Sequence, residues 1–190
     1  MQSLALTFDD GPDGHYTPLL LDVLGAAQVT ATFFPIAPRA TEHPAVIRRI
    51  LDEGHTIGVH CHQHVRHSAR DQSWCRQDTD RALGRLRELG AEPVLWRTPW
   101  GDLAPWSEQV ARERGLRLVG WSVDTHDWRG DTAEEMFSAT RPSLTPGAIV
   151  LAHDGIGPGA RRRSVQETIG YVRLVIEHAL ARGIGLRSLA

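Results

Sequence analysis

The chain has 190 residues, which suits one domain that buries about 70% of the surface its unfolded form would expose. Hydrophobic residues make up 41% of it and charged residues 23%, which excludes the disordered and collagen-like classes. The 21 basic and 23 acidic residues are mixed along the chain, so we expect no nucleic acid and no membrane as a partner. We therefore predict a single domain over residues 1–190 that acts as a monomer.

The first residues of the sequence bear on where in the cell the protein is located. No basic segment followed by an apolar stretch precedes the first predicted strand, and no run approaches the roughly 18 apolar residues of a membrane-spanning helix. The sequence as it stands predicts a cytoplasmic protein. If a signal peptide has been removed, the prediction is secretion instead.

Short apolar or β-branched runs alternate with longer segments of helical period, which indicates an α/β domain with a largely parallel sheet. In chain order, the predicted strands are 3–8, 29–34, 56–59, 93–96, 116–121, 148–152 and 184–189. The predicted helices are 17–27, 44–53, 72–89, 107–114, 133–139 and 165–182. This alternation favours a compact, irregular β/α barrel, with an open doubly wound sheet as the alternative.

Polar side chains cluster after five of the predicted strands. The clusters are residues 9–11 (DDG), 60–64 (HCHQH), 97–101 (RTPWG), 124–128 (DTHDW) and 153–154 (HD). In parallel β/α folds, functional groups gather where the strands end, at one edge of the sheet. We therefore expect the five clusters to meet in one site.

Asp9 and Asp10 are adjacent carboxylates at the end of the first predicted strand. Neighbouring side chains at a strand end point in different directions, so one carboxylate can bind a metal while the other accepts a proton from water. A helix cap or an Asx-turn is the structural alternative.

Residues 60–67 hold four of the ten histidines. His60 and His64 are four positions apart, which brings two imidazoles to one side of a helical turn, and two histidines with one carboxylate form a recurrent zinc site. The pairs His60/His62 and His64/His67 stay open, and a solvated polar loop is the structural alternative.

His153 ends an apolar run, where an imidazole can act as a general acid. Either Asp124 or Asp127 could pair with it and raise its pKa.

Tryptophans near the strand ends could stack on sugar rings or belong to the core; they are Trp100, Trp106, Trp121 and Trp128.

Two further features are interpreted as structural. Cys61 and Cys75 are the only cysteines, and we interpret them as free thiols. Residues 161–163 form the only basic run, three arginines, which we interpret as a solvated loop.

Taken in order, the clusters resemble the polysaccharide deacetylase family, carbohydrate esterase family 4, whose catalytic unit is the NodB homology domain. Its five motifs are similar to residues 7–12 (TFDDGP), 60–64 (HCHQH), 97–101 (RTPWG), 121–128 (WSVDTHDW) and 151–154 (LAHD). The resemblance runs from about residue 4 to residue 189. It implies an irregular (β/α)7 barrel.

The resemblance also implies a role for each matching residue. Asp10, His60 and His64 would bind a divalent metal, with Zn²⁺ expected and Co²⁺ as an alternative. Asp9 would be the catalytic base, held by Arg97, and His153 the general acid, tuned by Asp127. The backbone N–H of Trp100 would bind the oxyanion, and Leu151 with Trp128 would line the acetyl pocket.

The implied activity is removal of acetyl groups from N-acetylated sugars in N-acetylglucosamine-containing oligosaccharides or polysaccharides, with an acetylated carbohydrate as the partner. The alternatives are an O-acetyl esterase acting on xylan, a deacetylase of a small N-acetylated sugar or natural-product intermediate, and a non-catalytic carbohydrate-binding relic. Two residues depart from the family pattern. Cys61 replaces a Ser or Thr, and Val59 replaces a frequent Asn.

Overall fold

The computed structural model describes residues 3–190, which form eight strands and seven α-helices. The strands are β1 Ser3–Asp9, β2 Thr32–Phe34, β3 Thr56–Ile57, β4 Leu95–Trp96, β5 Arg117–Leu118, β6 Val123–Asp124, β7 Ile149–His153 and β8 Gly185–Leu186. The helices are α1 Tyr16–Ala26, α2 Ala37–Glu42, α3 Pro44–Asp52, α4 Gln72–Glu88, α5 Ser107–Glu113, α6 Ala133–Thr140 and α7 Gln166–Ala181.

All strand pairs are parallel. One sheet has the order β3-β2-β1-β7-β6, with β8 beside the first residues of β1, and β4 pairs with β5. A bridge between Val59 and Trp96 links the end of β3 to β4. The order around the barrel is therefore β6-β7-β1-β2-β3-β4-β5, interrupted between β5 and β6, and the predicted irregular β/α barrel is confirmed.

The interruption corrects one predicted element. Residues 116–121, predicted as a single strand, form β5 and then a stretch outside any strand, and β6 follows as a separate strand. The Arg97 side chain donates hydrogen bonds to the carbonyls of Val119 and Gly120, at 3.3 and 2.9 Å. The Arg97 guanidinium therefore satisfies backbone carbonyls that a neighbouring strand would bind in a regular barrel.

A short helix, α2, is absent from the predicted elements. It spans six residues, with Pro38 in its first turn and only Ala37 and Ala40 buried. So short a segment gives no periodic apolar face for sequence analysis to detect. Among residues 3–190, no helix has both the length and the apolar character needed to cross a bilayer.

The core forms around β1, whose residues are buried from Leu4 onward. Both faces of a parallel strand in a β/α fold are covered, which explains the nearly continuous apolar run in β1.

The register of strand pairing aligns the predicted site residues. It sets Asp9 opposite His153 on β7 and Asp124 on β6 opposite Leu151. The predicted functional residues thus reach one level at the carboxyl ends of neighbouring strands.

Candidate active site

A cavity of about 330 Å³ opens at the carboxyl ends of the strands. Eight of the ten predicted site residues line it: Asp9, Asp10, His60, His64, Trp100, Trp128, Leu151 and His153. The other two, Arg97 and Asp127, are almost completely buried behind the lining. The five motifs therefore converge on one cavity, as the strand-end rule predicts.

Asp10, His60 and His64 converge on one point. The Nε2 atoms of His60 and His64 lie 3.3 and 3.2 Å from Oδ1 of Asp10. That oxygen is buried and receives no hydrogen bond, although a buried carboxylate without a partner is costly. Two imidazoles with one carboxylate suit a divalent cation, which would satisfy this oxygen. The residues therefore fit a metal.

The second ring nitrogen of His60 sets its orientation. Nδ1 lies 2.7 Å from the backbone oxygen of Arg97, and a proton donated there leaves the lone pair of Nε2 directed at Asp10. His67 instead packs against Trp96, and burial lowers its pKa to about 4. Of the described His, Cys, Asp and Glu side chains, only Asp10, His60 and His64 form a group with metal-ligand spacing.

Asp9 is held by a buried ion pair. Nη1 of Arg97 lies 2.9 Å from Oδ1 of Asp9 and also donates to the hydroxyl of Thr7 at 2.7 Å. The arginine side chain is 1% exposed, and its remaining nitrogens donate to backbone carbonyls of the segment between β5 and β6. Arg97 therefore fixes Asp9 and also holds the segment where the barrel is interrupted.

His153 is paired with Asp127 and not with Asp124. Its Nδ1 lies 2.7 Å from Oδ1 of Asp127, whereas Asp124 accepts from the backbone N–H of His126. Burial opposes a charged imidazole at this position. The charge and hydrogen bond of Asp127 outweigh burial and raise the pKa of His153 to about 9.

Aromatic and apolar side chains form the cavity walls. Trp100 is 43% exposed and places its ring edge against His64, with centroids 4.2 Å apart. Trp121, Trp128 and Leu151 line the remainder, while Trp106 does not contribute. Indole rings beside polar groups in a cavity suit a sugar ring.

The comparisons with known proteins agree with this arrangement. Residues 1–119 match the family profile described as Polysaccharide deacetylase. The chain belongs to the polysaccharide deacetylase family. A Bacillus cereus peptidoglycan-N-acetylglucosamine deacetylase is 36% identical over 157 residues, which cover 81% of this chain and 56% of that relative. The chain thus spans little more than half of that protein.

Two further similarities cover nearly the whole chain. A chitooligosaccharide deacetylase from Sinorhizobium fredii is 35% identical over 197 residues, covering 98% of this chain and 90% of the relative. A crystal structure of a peptidoglycan N-acetylglucosamine deacetylase superposes with a TM-score of 0.91 at 31% identity, covering 98% of this chain and 86% of that one. The NodB-type barrel is therefore confirmed.

Arg162 is a residue of this site with a buried side chain that the sequence did not indicate. The side chain of Arg162 is 6% exposed, so the interpretation of residues 161–163 as a solvated loop is wrong for this residue, although Arg161 and Arg163 are exposed. Arg162 donates to Oδ2 of Asp127 at 2.7 Å and to the backbone oxygens of His153 and Gly155. Nothing in the sequence distinguishes the middle arginine from its neighbours.

The departure from the family pattern at Cys61 leaves a buried thiol. Cys61 and Cys75 are both free, as predicted. Burial, with the charges of Asp78 and Asp10, raises the pKa of the Cys61 thiol well above its ordinary value. The thiolate is the reactive form, so this pKa disfavours reaction at Cys61, which lies beside the proposed metal ligands.

Strained backbone is concentrated at the site. Four non-glycine residues among the described ones have positive φ, and three of them border the cavity or its buried acid pair: Asp10, Trp100 and His126. Such conformations cost about 1–3 kcal/mol and persist where surrounding contacts enforce them. The strain therefore coincides with the carboxyl ends of β1, β4 and β6.

Proposed function

We propose that this chain is a metal-dependent hydrolase that removes acetyl groups from N-acetylglucosamine-containing oligosaccharides or polysaccharides and releases acetate. One observation carries the proposal: Asp9 and His153 stand at the same level of neighbouring strands, beside the Asp10, His60 and His64 group, in one cavity. Membership of the polysaccharide deacetylase family, and the names of the relatives, support the same substrate class.

Asp10, His60 and His64 would hold the metal, which we propose to be Zn²⁺, with Co²⁺ as the alternative. When bound, a divalent metal polarises the acetyl carbonyl and lowers the pKa of water. The chain's own part is to hold three ligand atoms within 4.8 Å of one another before the metal arrives.

Asp9 would take the proton of the attacking water. Arg97 binds its Oδ1 at 2.9 Å, which fixes the carboxylate and leaves Oδ2 to accept the proton. The water oxygen then forms a bond to the acetyl carbon. The N–H of Trp100 would stabilise the negative charge that develops on the carbonyl oxygen.

His153 would protonate the leaving nitrogen as the carbon–nitrogen bond breaks. Asp127 binds Nδ1, so Nε2 is the atom that faces the cavity, and the raised pKa keeps the ring protonated at neutral pH. The products are acetate and a free amino sugar. Leu151 and Trp128 would enclose the acetyl methyl group.

A substrate panel tests the proposal. Metal-stripped enzyme, with and without added Zn²⁺ or Co²⁺, is incubated with N-acetylglucosamine oligomers, peptidoglycan, small N-acetylated sugars and acetylated xylan, and acetate and free amine are both measured. We expect metal-dependent acetate with an equal amount of amine from the N-acetylglucosamine substrates. Acetate without amine, from xylan alone, would make it an O-acetyl esterase, and metal binding without acetate from any substrate would contradict the proposal.

The residue range 1–190 as a single domain, the cytoplasmic location and the monomeric state remain predictions. Size-exclusion chromatography with light scattering tests the last of these.

A further inference from the structure

Asp78 holds the loop that connects the two histidine ligands. It lies in the middle of α4, is 5% exposed, and points its carboxylate at the loop. Oδ2 accepts from the backbone N–H of His62 at 2.9 Å, and Oδ1 accepts from that of Gln63 at 2.8 Å. The two carboxylate oxygens therefore bind two consecutive N–H groups between His60 and His64.

The two histidines differ in how their rings are held. Nδ1 of His60 is bound by the backbone oxygen of Arg97, whereas Nδ1 of His64 is buried without a partner among the described residues. A ligating histidine is usually oriented through its second nitrogen. For His64 that restraint is missing, so its position depends on the loop backbone and on the edge contact with Trp100.

Backbone contacts hold the beginning of the loop. Cys61 forms a parallel bridge with Ile36, and its carbonyl accepts from the N–H of Ala37 at 2.9 Å. The Cys61 side chain is a thiol, a weak hydrogen-bonding group. Asp78 is therefore the side chain that holds the middle of the loop, just before His64.

We propose that Asp78 is a positioning residue of the metal site, which sets His64 against Asp10 and His60 by binding the loop between the two ligands. This inference rests on the proposed function, because it presumes that the three residues bind a metal. Only a carboxylate offers an acceptor to both N–H groups; an amide in its place turns one donor toward another donor.

The test compares Asp78→Asn with Asp80→Asn by zinc affinity. Asp80 lies on the same helix and loses the same charge, but its side chain is 59% exposed and pairs with Arg114. Affinity is measured by competition with a chromophoric chelator. We expect Asp78→Asn to bind zinc about 10- to 100-fold more weakly and Asp80→Asn to match wild type. Equal affinity of wild type and Asp78→Asn would overturn the proposal.

A second measurement needs no variant and applies even if Asp78→Asn does not fold. In the metal-free wild-type protein, the His62 and Gln63 amides should exchange slowly with solvent, and fast exchange of both would overturn the proposal. Because zinc affinity is the readout, absence of acetate release would count against the proposed function alone. A wild-type chain that binds no zinc would contradict both.

Discussion

The chemistry proposed for this site depends on buried charges that are each held by a specific partner. Asp9 is fixed by Arg97, and His153 by Asp127, which in turn accepts from Arg162 and Thr168. Burying a charge is expensive unless it is paired and hydrogen-bonded, so such pairs constrain geometry strongly. The proposed base and the proposed acid are therefore both held in place by the protein itself.

Replacing Asp9 with Asn should abolish turnover while zinc remains bound. The amide cannot accept the proton of water, and general-base catalysis contributes about 10²- to 10⁴-fold, so we expect kcat to fall by at least about 100-fold. Acetate release and zinc content are measured on the same preparation. A variant with wild-type kcat would reject Asp9 as the base.

The pH dependence of kcat should identify His153 as the acid. Because its pKa is raised to about 9, the ring stays protonated through neutral pH, and activity should fall as the pH rises through about 9. Asp127→Asn removes the charge that raises this pKa while burial, which lowers it, persists. The alkaline limb should therefore move to lower pH.

The control for this shift is Asp124→Asn, because Asp124 lines the same cavity but is bonded to the His126 N–H. Its alkaline limb should coincide with that of wild type. An unchanged limb in Asp127→Asn would show that another group titrates there.

A residue's place in the cavity could be predicted where it stands at the end of a strand, and could not be predicted where only the fold brings distant segments together. The positions of the carboxylates at the end of β1 and of the histidine that ends β7 follow from the rule that functional groups gather at strand ends. Arg162 lies among three identical residues, and Asp78 lies within a charged helix that includes Arg76 and Asp80. Their burial depends on chain segments far away in sequence.

Among the elements, the loop after β7 packs against Asp10, one of the proposed metal ligands. Arg39 on α2 donates to the backbone oxygens of Asp10 and Ile156, at 2.7 and 2.9 Å, and ties this loop to the end of β1. A Cβ atom at Gly157 would stand 1.7 Å from Oδ2 of Asp10. The loop can pack against this carboxylate only because residue 157 has no side chain.

Gly157→Ala should therefore weaken zinc binding. The added methyl group must displace either the Asp10 carboxylate or the loop, and we expect a loss of at least about 10-fold in affinity, measured by chelator competition. Gly84→Ala on α4 is the control, since beyond the adjacent helix backbone and its two chain neighbours no atom lies within 4 Å of the added Cβ. It should keep wild-type affinity and stabilise the helix by about 0.5–1 kcal/mol. Matched affinities for the two variants would disprove this role for Gly157.

The elements that could not be predicted well from the sequence are very short or lie where strand pairing is interrupted. β5 and β6 flank the break that Arg97 fills, and α2 has six residues. The long helices were predicted within two residues at each end, because α4 and α7 repeat apolar residues at helical spacing. Helical periodicity lies within one stretch of sequence, whereas a break in a barrel depends on contacts between segments that are far apart in sequence.

At the scale of the whole molecule, the barrel places residues from five strand ends around one cavity, while other parts of the chain form the core. The same fold can carry unrelated functions, so the fold alone does not establish the reaction. In this chain each proposed ligand, base and acid is present, and the proposed base and acid are each held by a charged partner. We therefore place metal-supported hydrolysis at this one cavity at the centre of the proposed function.

The most direct test is a titration of metal-stripped enzyme with Zn²⁺ while acetate release from an N-acetylglucosamine oligomer is followed. We expect the rate to rise with added zinc and to saturate at one zinc per chain, with one free amine formed for each acetate. A rate that is independent of zinc, or zinc binding at one per chain without any acetate, would contradict the proposed function.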